Sequence, residues 1–214
     1  MSHQNRVDPF GRLVVSNARG TLMGNRGILH DDRQTVLKTH AHQNWVTCAL
    51  SYKDRKRQIM APGCYTELFF LDEATALAAG HRPCAECRRA RYRTFTDAWQ
   101  EVHGGPEEGR SLPQSIDRAL HRARITRRGE KVTFDAALDS LPDGTMFAHD
   151  GNALLVWAGS VLRWGFDGYS PADRPAMDTV AVLTPGPLVA LFRHGFHPEV
   201  HASAERPGPS ALFG

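Results

Sequence analysis

Ala74–Arg93, ATALAAGHRPCAECRRARYR, is the stretch around which the rest of the chain reads as organised. An alanine-rich helical run stops at Gly80, Pro83 breaks the chain, and Cys84-Ala-Glu-Cys87 opens an arginine-studded helix. Two thiols separated by two residues at a helix start can point at one centre, and metal sites are built on this spacing. Upstream, Glu67-Leu-Phe-Phe-Leu71 reads as a buried strand, Asp72 as a helix cap, and Glu73 as a first-turn acid favoured by the helix dipole. Downstream, the helix is expected to run through Arg91 to Glu101, with Tyr92, Phe95 and Trp99 as its core stripe.

The chain has four cysteines, and the other two lie upstream at 48 and 64. Trp45-Val-Thr-Cys-Ala-Leu-Ser-Tyr52 is rich in aromatic and β-branched residues and reads as a strand. Lys53–Arg57 reads as its polar tip and Gln58-Ile-Met-Ala as the start of a return strand. A hairpin turning about residue 56 sets Cys48 opposite Cys64, at the separation of facing cross-strand residues. If it docks on the helix start, Cys48, Cys64, Cys84 and Cys87 supply the four ligands of a structural zinc. His81, His40 and His42 are the substitutes, and free core cysteines or a redox dithiol are the alternatives to a metal.

ATALAAGHRPCAECRR resembles the second half of the zinc-binding module of Ada-type DNA-repair proteins, in which an EALAAGFRPCKRC-like stretch follows a strand. Cys84 and Cys87 fall on that motif's ligand pair, and Arg82, Pro83 and the Ala/Gly helix match its surroundings. The resemblance implies four cysteine ligands, contact with the DNA backbone, and one cysteine that takes a methyl group from a methylphosphotriester. The family's close C-x3-C first pair has no counterpart here, so Cys48 and Cys64 stand in for it. Cys84 and Cys87 are expected to be shielded by amide donors. Cys64, after the Pro62-Gly63 bend, would be the better exposed of the remaining two, and neither is expected to accept a methyl group.

Composition sets the bounds. With 214 residues, 41% apolar and 23% charged, the chain can bury a sizeable core in the manner of ordinary globular proteins. No run of about 18 apolar residues marks a membrane span, and MSHQNRVDPFGR lacks the apolar centre of a secretory signal. Four cysteines are too few for a disulfide scaffold, which suggests a reducing, cytoplasmic setting. Up to residue 131 the chain holds 22 Lys/Arg against 14 Asp/Glu, and afterwards 4 against 9. A basic front part suggests a polyanionic partner, nucleic acid and plausibly DNA, although solvated helix faces would leave the same count. The leading phosphate contacts are Arg82, Arg88, Arg89, Arg91 and Arg93. Arg122, Arg124, Arg127 and Arg128 belong to a second basic stretch, whose helix Ser115 is expected to cap.

The expected fold class is α+β: a zinc-stabilised hairpin-and-helix module over 1–131, then a small antiparallel β-rich module over 132–204 and a loose tail over 205–214. In the first module, residues 1–44 read as irregular with short strands, among them Arg12–Ser16. In the second, a short helix near Phe134–Leu141 precedes closely spaced strands, TMFAHD, ALLVWA, VLRWGF and Thr179–Leu183, and a helix over Pro187–His194. The rival function is a metal- or Arg/His-dependent hydrolase. Its pocket would lie between the glycine- and arginine-bearing segment Asn17–His30 and the C-terminal sheet, with Arg19, Arg26 and His30 in its wall. A protein-interaction module is a third reading. His194, His197 and His201 have a spacing that can hold a metal, but Gly195 and Pro198 break the helix that would align them, which favours surface histidines. Asp117 and His121 read as a local i, i+4 ion pair.

Overall fold

The computed structural model describes residues 2–53 and 58–205. Most of the expected tip at Lys53–Arg57, and the tail beyond Glu205, lie outside the described residues. The fold is α+β, built on two six-stranded sheets. The first sheet takes β1 (Gln4–Val7), β2 (Leu13–Val15), β3 (Leu22–Asn25), β4 (Val46–Cys48), β5 (Leu68–Phe70) and β6 (Arg82–Pro83), in the order β2-β1-β5-β3-β4-β6. Residues 1–44 therefore supply half of a sheet. Their strands are three or four residues long and cross-connected, so no long alternation announces them.

Two glycines in the Asn17–Gly27 segment have packing duties. A Cβ at Gly20 would lie 2.2 Å from the Phe70 carbonyl oxygen, and one at Gly24 would lie 2.3 Å from that of Val46. Both residues run against neighbouring strands where no side chain fits, so the segment reads as close-packed sheet rather than an anion loop.

The hairpin expected between residues 45 and 64 does not form. Both edges of β4 are occupied, antiparallel by β3, with Met23 opposite Cys48, and parallel by β6, with Val46 beside Arg82. Cys64 sits in a turn held by its own amide on the Ala61 carbonyl at 3.0 Å.

Helix α1 (Glu73–Ala78) starts as expected. Asp72 is its N-cap, accepting from the Thr75 amide at 2.8 Å. All six of its residues are buried, as an alanine-rich helix apolar on every side requires. Gly80, with φ +88°, ends it, and a Cβ there would strike the Arg124 side chain at 2.4 Å. The next helix begins later than its motif suggests. Residues 85–88 form a turn, and α2 spans Arg89–His103. Helix α3 (Leu112–Arg124) is capped by Ser111 in a reciprocal box with Gln114 rather than by Ser115, whose hydroxyl bonds back to the Ser111 carbonyl.

The second sheet comprises β7 (Phe134–Ala137), β8 (Met146–His149), β9 (Asn152–Trp157), β10 (Ser160–Gly165), β11 (Gly168–Pro171) and β12 (Thr179–Val182). Its order is β11-β10-β9-β8-β12-β7, a meander in which β7 pairs with β12, so the short helix expected over Phe134–Leu141 is confined to one 3-10 turn at Leu138–Ser140. Helix α4 (Gly186–Arg193) follows.

Residues on both sides of position 131 share one core. Leu77, Phe95, Trp99, Ile116 and Leu120 pack with Leu188, Leu191, Phe192 and Phe196. Buried polar bonds cross the same line. Asp72 accepts from the Tyr169 hydroxyl at 2.7 Å and the His201 amide at 2.9 Å, and Glu73 accepts from the Glu199 amide at 3.0 Å. No helix among the described residues is long and apolar enough to cross a membrane.

Candidate metal centre

The sheet register assembles the cysteines. Strand β6 runs parallel to β4 with Thr47 beside Pro83, so the next pair along is Cys48 and Cys84, and the Cys84 amide donates to the Thr47 carbonyl at 2.9 Å. Neighbouring strands lie about 4.8 Å apart. The turn over 85–88 then returns Cys87 to the same point. The Sγ atoms of Cys48, Cys84 and Cys87 all lie within 4.8 Å of one another. Thiolates at 2.3 Å from a tetrahedral zinc would be about 3.8 Å apart, so a small contraction suffices. The cluster is of the kind that can hold a metal ion, and Cys64 has no place in it.

Backbone donors already face the sulfurs. The Glu86 amide points at Cys84 Sγ at 3.4 Å, the Cys87 amide is a second donor to it, and the Ala49 amide serves Cys87. A hydrogen bond from Cys48 first, and these amides with it, hold the Cys84 thiol down at about 5 against the opposing effect of burial. Cys48 is driven the other way by that same hydrogen bond and then by burial, while burial foremost raises Cys87. Three close thiols without a cation keep their charge on one sulfur. A bound divalent ion is what lets all three ionise together.

The three sulfurs form part of the wall of a cavity of about 460 Å³. Its floor is one face of the first sheet. Met23 and Asn25 of β3, Val46 and Cys48 of β4, and Glu67 and Phe69 around β5 alternate onto that side, while Leu68 and Phe70 turn into the core. Leu50, Ile59, Tyr52 and Tyr65 complete the rim, with Leu50 54% exposed. Glu67 is buried and accepts from the Met60 amide at 2.8 Å. A size of this order suits a small ligand or one residue of a polymer. The sequence carried one unused signal for this face: a glutamate opening the apolar strand ELFFL.

Four of the nine arginines expected to contact phosphate are committed internally. Arg82 is buried and forks onto both oxygens of Asp117, at 2.7 and 2.8 Å, which takes Asp117 away from His121. Arg88 bonds Glu73 at 2.9 Å and Glu199 at 2.8 Å. Arg91 also bonds Glu73, at 2.6 Å, and lies 4.1 Å over the Phe196 ring. Arg124 is buried against Trp45. Arg89, Arg93, Arg127 and Arg128 are exposed, as is Arg122, which touches Glu107 at 3.4 Å. Arg89 and Arg93 line a shallow groove with Lys53, Tyr52, Tyr92 and Glu86, and Tyr52 and Glu86 also border the cysteine cavity.

The alternative pocket does not assemble as expected. Arg19 is exposed, and His30 bonds Thr66 Oγ1 at 2.6 Å. Arg26 turns into a separate cavity beside Trp45. His81 is fully enclosed against Arg26 and Phe70, away from the sulfurs. His194 meets Glu101, His197 is exposed, and His201 bonds Ser203. Comparison of the chain with protein-family models, with characterised proteins and with solved structures finds no match.

Proposed function

We propose that this is a zinc protein whose metal, held by Cys48, Cys84 and Cys87, forms part of the wall of a substrate cavity. The observation that carries the reading is the convergence of three sulfurs on the 460 Å³ cavity while the fourth cysteine stays outside the cluster. Structural zinc sites are closed by four protein ligands, whereas sites that do chemistry keep one position for water or substrate. When bound, zinc supplies Lewis acidity at that position and keeps its thiolates ionised. The chain's own groups do the rest. Amides at Ala49, Glu86 and Cys87 fix the sulfurs, Met23, Val46 and Phe69 give the floor an apolar surface, and Glu67 places a carboxylate in the same wall. This favours the metal-dependent enzyme over a purely structural zinc, with its pocket on the first sheet, where Met23 and Asn25 of the Gly/Arg segment line it, rather than against the C-terminal sheet.

A second reading, in which nucleic acid is the partner, draws on the groove that adjoins the cavity. Arg89, Arg93 and Lys53 flank Tyr52 and Tyr92 there, an arrangement of cations and rings suited to a strand's phosphates and bases.

Cobalt substitution tests the primary reading. Three thiolate ligands should appear in the charge-transfer bands, and the visible bands should shift when a small thiol or imidazole is added. A four-thiolate spectrum that ignores added ligand, and loses one thiolate in Cys64→Ser, would overturn it.

A further inference from the structure

The cavity that takes Arg26 contains more positive charge than its surroundings neutralise. It has a volume of about 340 Å³, and Arg12, Arg26, Arg124 and Lys131 line it with a single acid, Glu130. Arg12 is spent on Asp8 at 2.6 Å, and Asp117, the acid acting on Arg124, is forked by Arg82. Arg26 and Arg124 are 1% and 2% exposed and, among the described residues, make no ion pair. Their partners are neutral. Arg26 donates to His81 and to the Gly11 and Thr39 carbonyls, Arg124 to the Gly80 and Gln43 carbonyls and His121, and Lys131 to the Ala78 carbonyl.

After those bonds are made, Nη2 of Arg26 and Nε of Arg124 remain buried with no acceptor. The Arg26 nitrogen lies just beneath the wall, 3.8 Å from where a Cβ on the cavity residue Gly11 would be. Buried donors and buried charges without partners are costly, and structures seldom leave them so. We propose that this cavity is a binding site for a dianionic phosphate group, carried by a small phosphomonoester or as inorganic phosphate.

The donor pattern selects the ligand. Arg26 keeps both N–H groups of Nη2, Arg124 keeps its Nε–H, and Lys131 keeps the protons not given to the Ala78 carbonyl. Donors from three residues suit the several oxygens of a tetrahedral oxyanion, whereas a planar carboxylate is best met by one whole guanidinium edge, and neither arginine leaves an edge whole. Trp45 is only 2% exposed, with Arg26 at 4.0 Å and Arg124 at 3.9 Å over its ring, so it is not free to stack on a base. Charge supports the same choice. Burial foremost, then Arg26 and Arg124, against the weaker pull of Asp8, bring the Lys131 ammonium down to about 7. A bound dianion would restore it.

The test is titration calorimetry on the full chain with inorganic phosphate, adenosine 5′-monophosphate, and an oligonucleotide with or without a 5′-phosphate. Ionic strength is matched with chloride. Saturable binding of phosphate or the monoester is expected, with proton uptake at a pH about one unit above neutral. Lys131→Met should weaken that binding by about tenfold or more while leaving the melting temperature in chloride unchanged or higher. Arg26→Met is the second variant and should lose the phosphate response in the same way. Three results would each overturn the site: no saturable binding to folded wild type, equal binding by both variants, or binding only of the oligonucleotide lacking a terminal phosphate.

Discussion

Removing the carboxylate from Asp117 separates a structural Arg82 from a nucleic-acid contact. Arg82 and Asp117 have side chains only 7% and 10% exposed and share a two-pronged bond of 2.7 and 2.8 Å. Asp117→Asn keeps the shape but leaves the guanidinium enclosed without a counter-charge. Breaking one side of such a buried pair costs about 3–5 kcal/mol. In a protein of roughly this size 1 kcal/mol moves the melting temperature by about 2–4 °C, so a fall of roughly 6–20 °C is expected. The companion Arg82→Met with Asp117→Leu removes both charges and should recover most of the loss, giving a large coupling in a double-mutant cycle. Calorimetric melting and urea titration read the stability. Filter binding to duplex DNA across a salt series reads any phosphate contact. An Asp117→Asn protein that melts within about 2 °C of wild type would refute the reasoning. So would an Arg82→Met protein that melts normally yet loses about one unit of salt slope.

Three further outcomes follow from other parts of the molecule. Cys84→Ser should lose the bound zinc seen by elemental analysis, while Cys64→Ser should retain it, because only the former lies among the clustered sulfurs. If the groove holds nucleic acid, Arg89→Ala with Arg93→Ala should flatten the salt slope by about two units, whereas Arg88→Ala with Arg91→Ala should act mainly on stability by uncovering the buried Glu73. Burial foremost, then the charge of Asp72, hold the Tyr169 phenol well above its ordinary value. An unfolded phenol ionises near pH 10, so the stability from Tyr169 is complete below about pH 10 and is lost as pH climbs from there through the folded-state value. Tyr169→Phe should accordingly flatten the alkaline fall in urea stability, and ultraviolet titration should show one phenol that ionises late.

Local rules served the chain where elements are local. Asp72, Glu73 and Gly80 mark α1 by chemistry confined to nine residues, and the meander after Met146 announces itself through closely spaced apolar runs, the first two joined by an Asp-Gly turn. The first sheet was opaque because its pairings are long-range. Strand β6 is two residues of Arg-Pro, and nothing in those two letters says that they lie parallel to residues 46–47. The hairpin expected around residue 56 failed for the same reason, since β3 and β6 already occupied both edges of β4. Three of the four cysteines still met. Cys84 and Cys87 were legible from spacing, but Cys48 reached them by parallel register rather than by a turn.

The basic front half poses a sharper question, because charge counted along a sequence says nothing of where it is neutralised. Arg82, Arg88 and Arg91 are bound to Asp117, Glu73 and Glu199, acids that lie 35, 15 to 18, and 111 residues away in sequence. Even Glu199, deep in the acidic stretch, was unrecognisable as the partner of an arginine in the basic one. Of the arginines expected to contact phosphate, those left for a polyanion are Arg89 and Arg93 on the first turns of α2 and Arg122, Arg127 and Arg128 around the end of α3. Arg26 and Arg124 belong to neither class. The acids that act on them, Asp8 and Asp117, are bonded to other arginines, and a buried charge without a paired counter-charge is strongly destabilising. The packing of both guanidiniums over the Trp45 ring, with Gly80 left bare to admit the Arg124 stem, ties them to the sheet and to α1. A fold that holds two guanidiniums so firmly without neutralising them has left the neutralising to a ligand, and the phosphate titration measures whether it has.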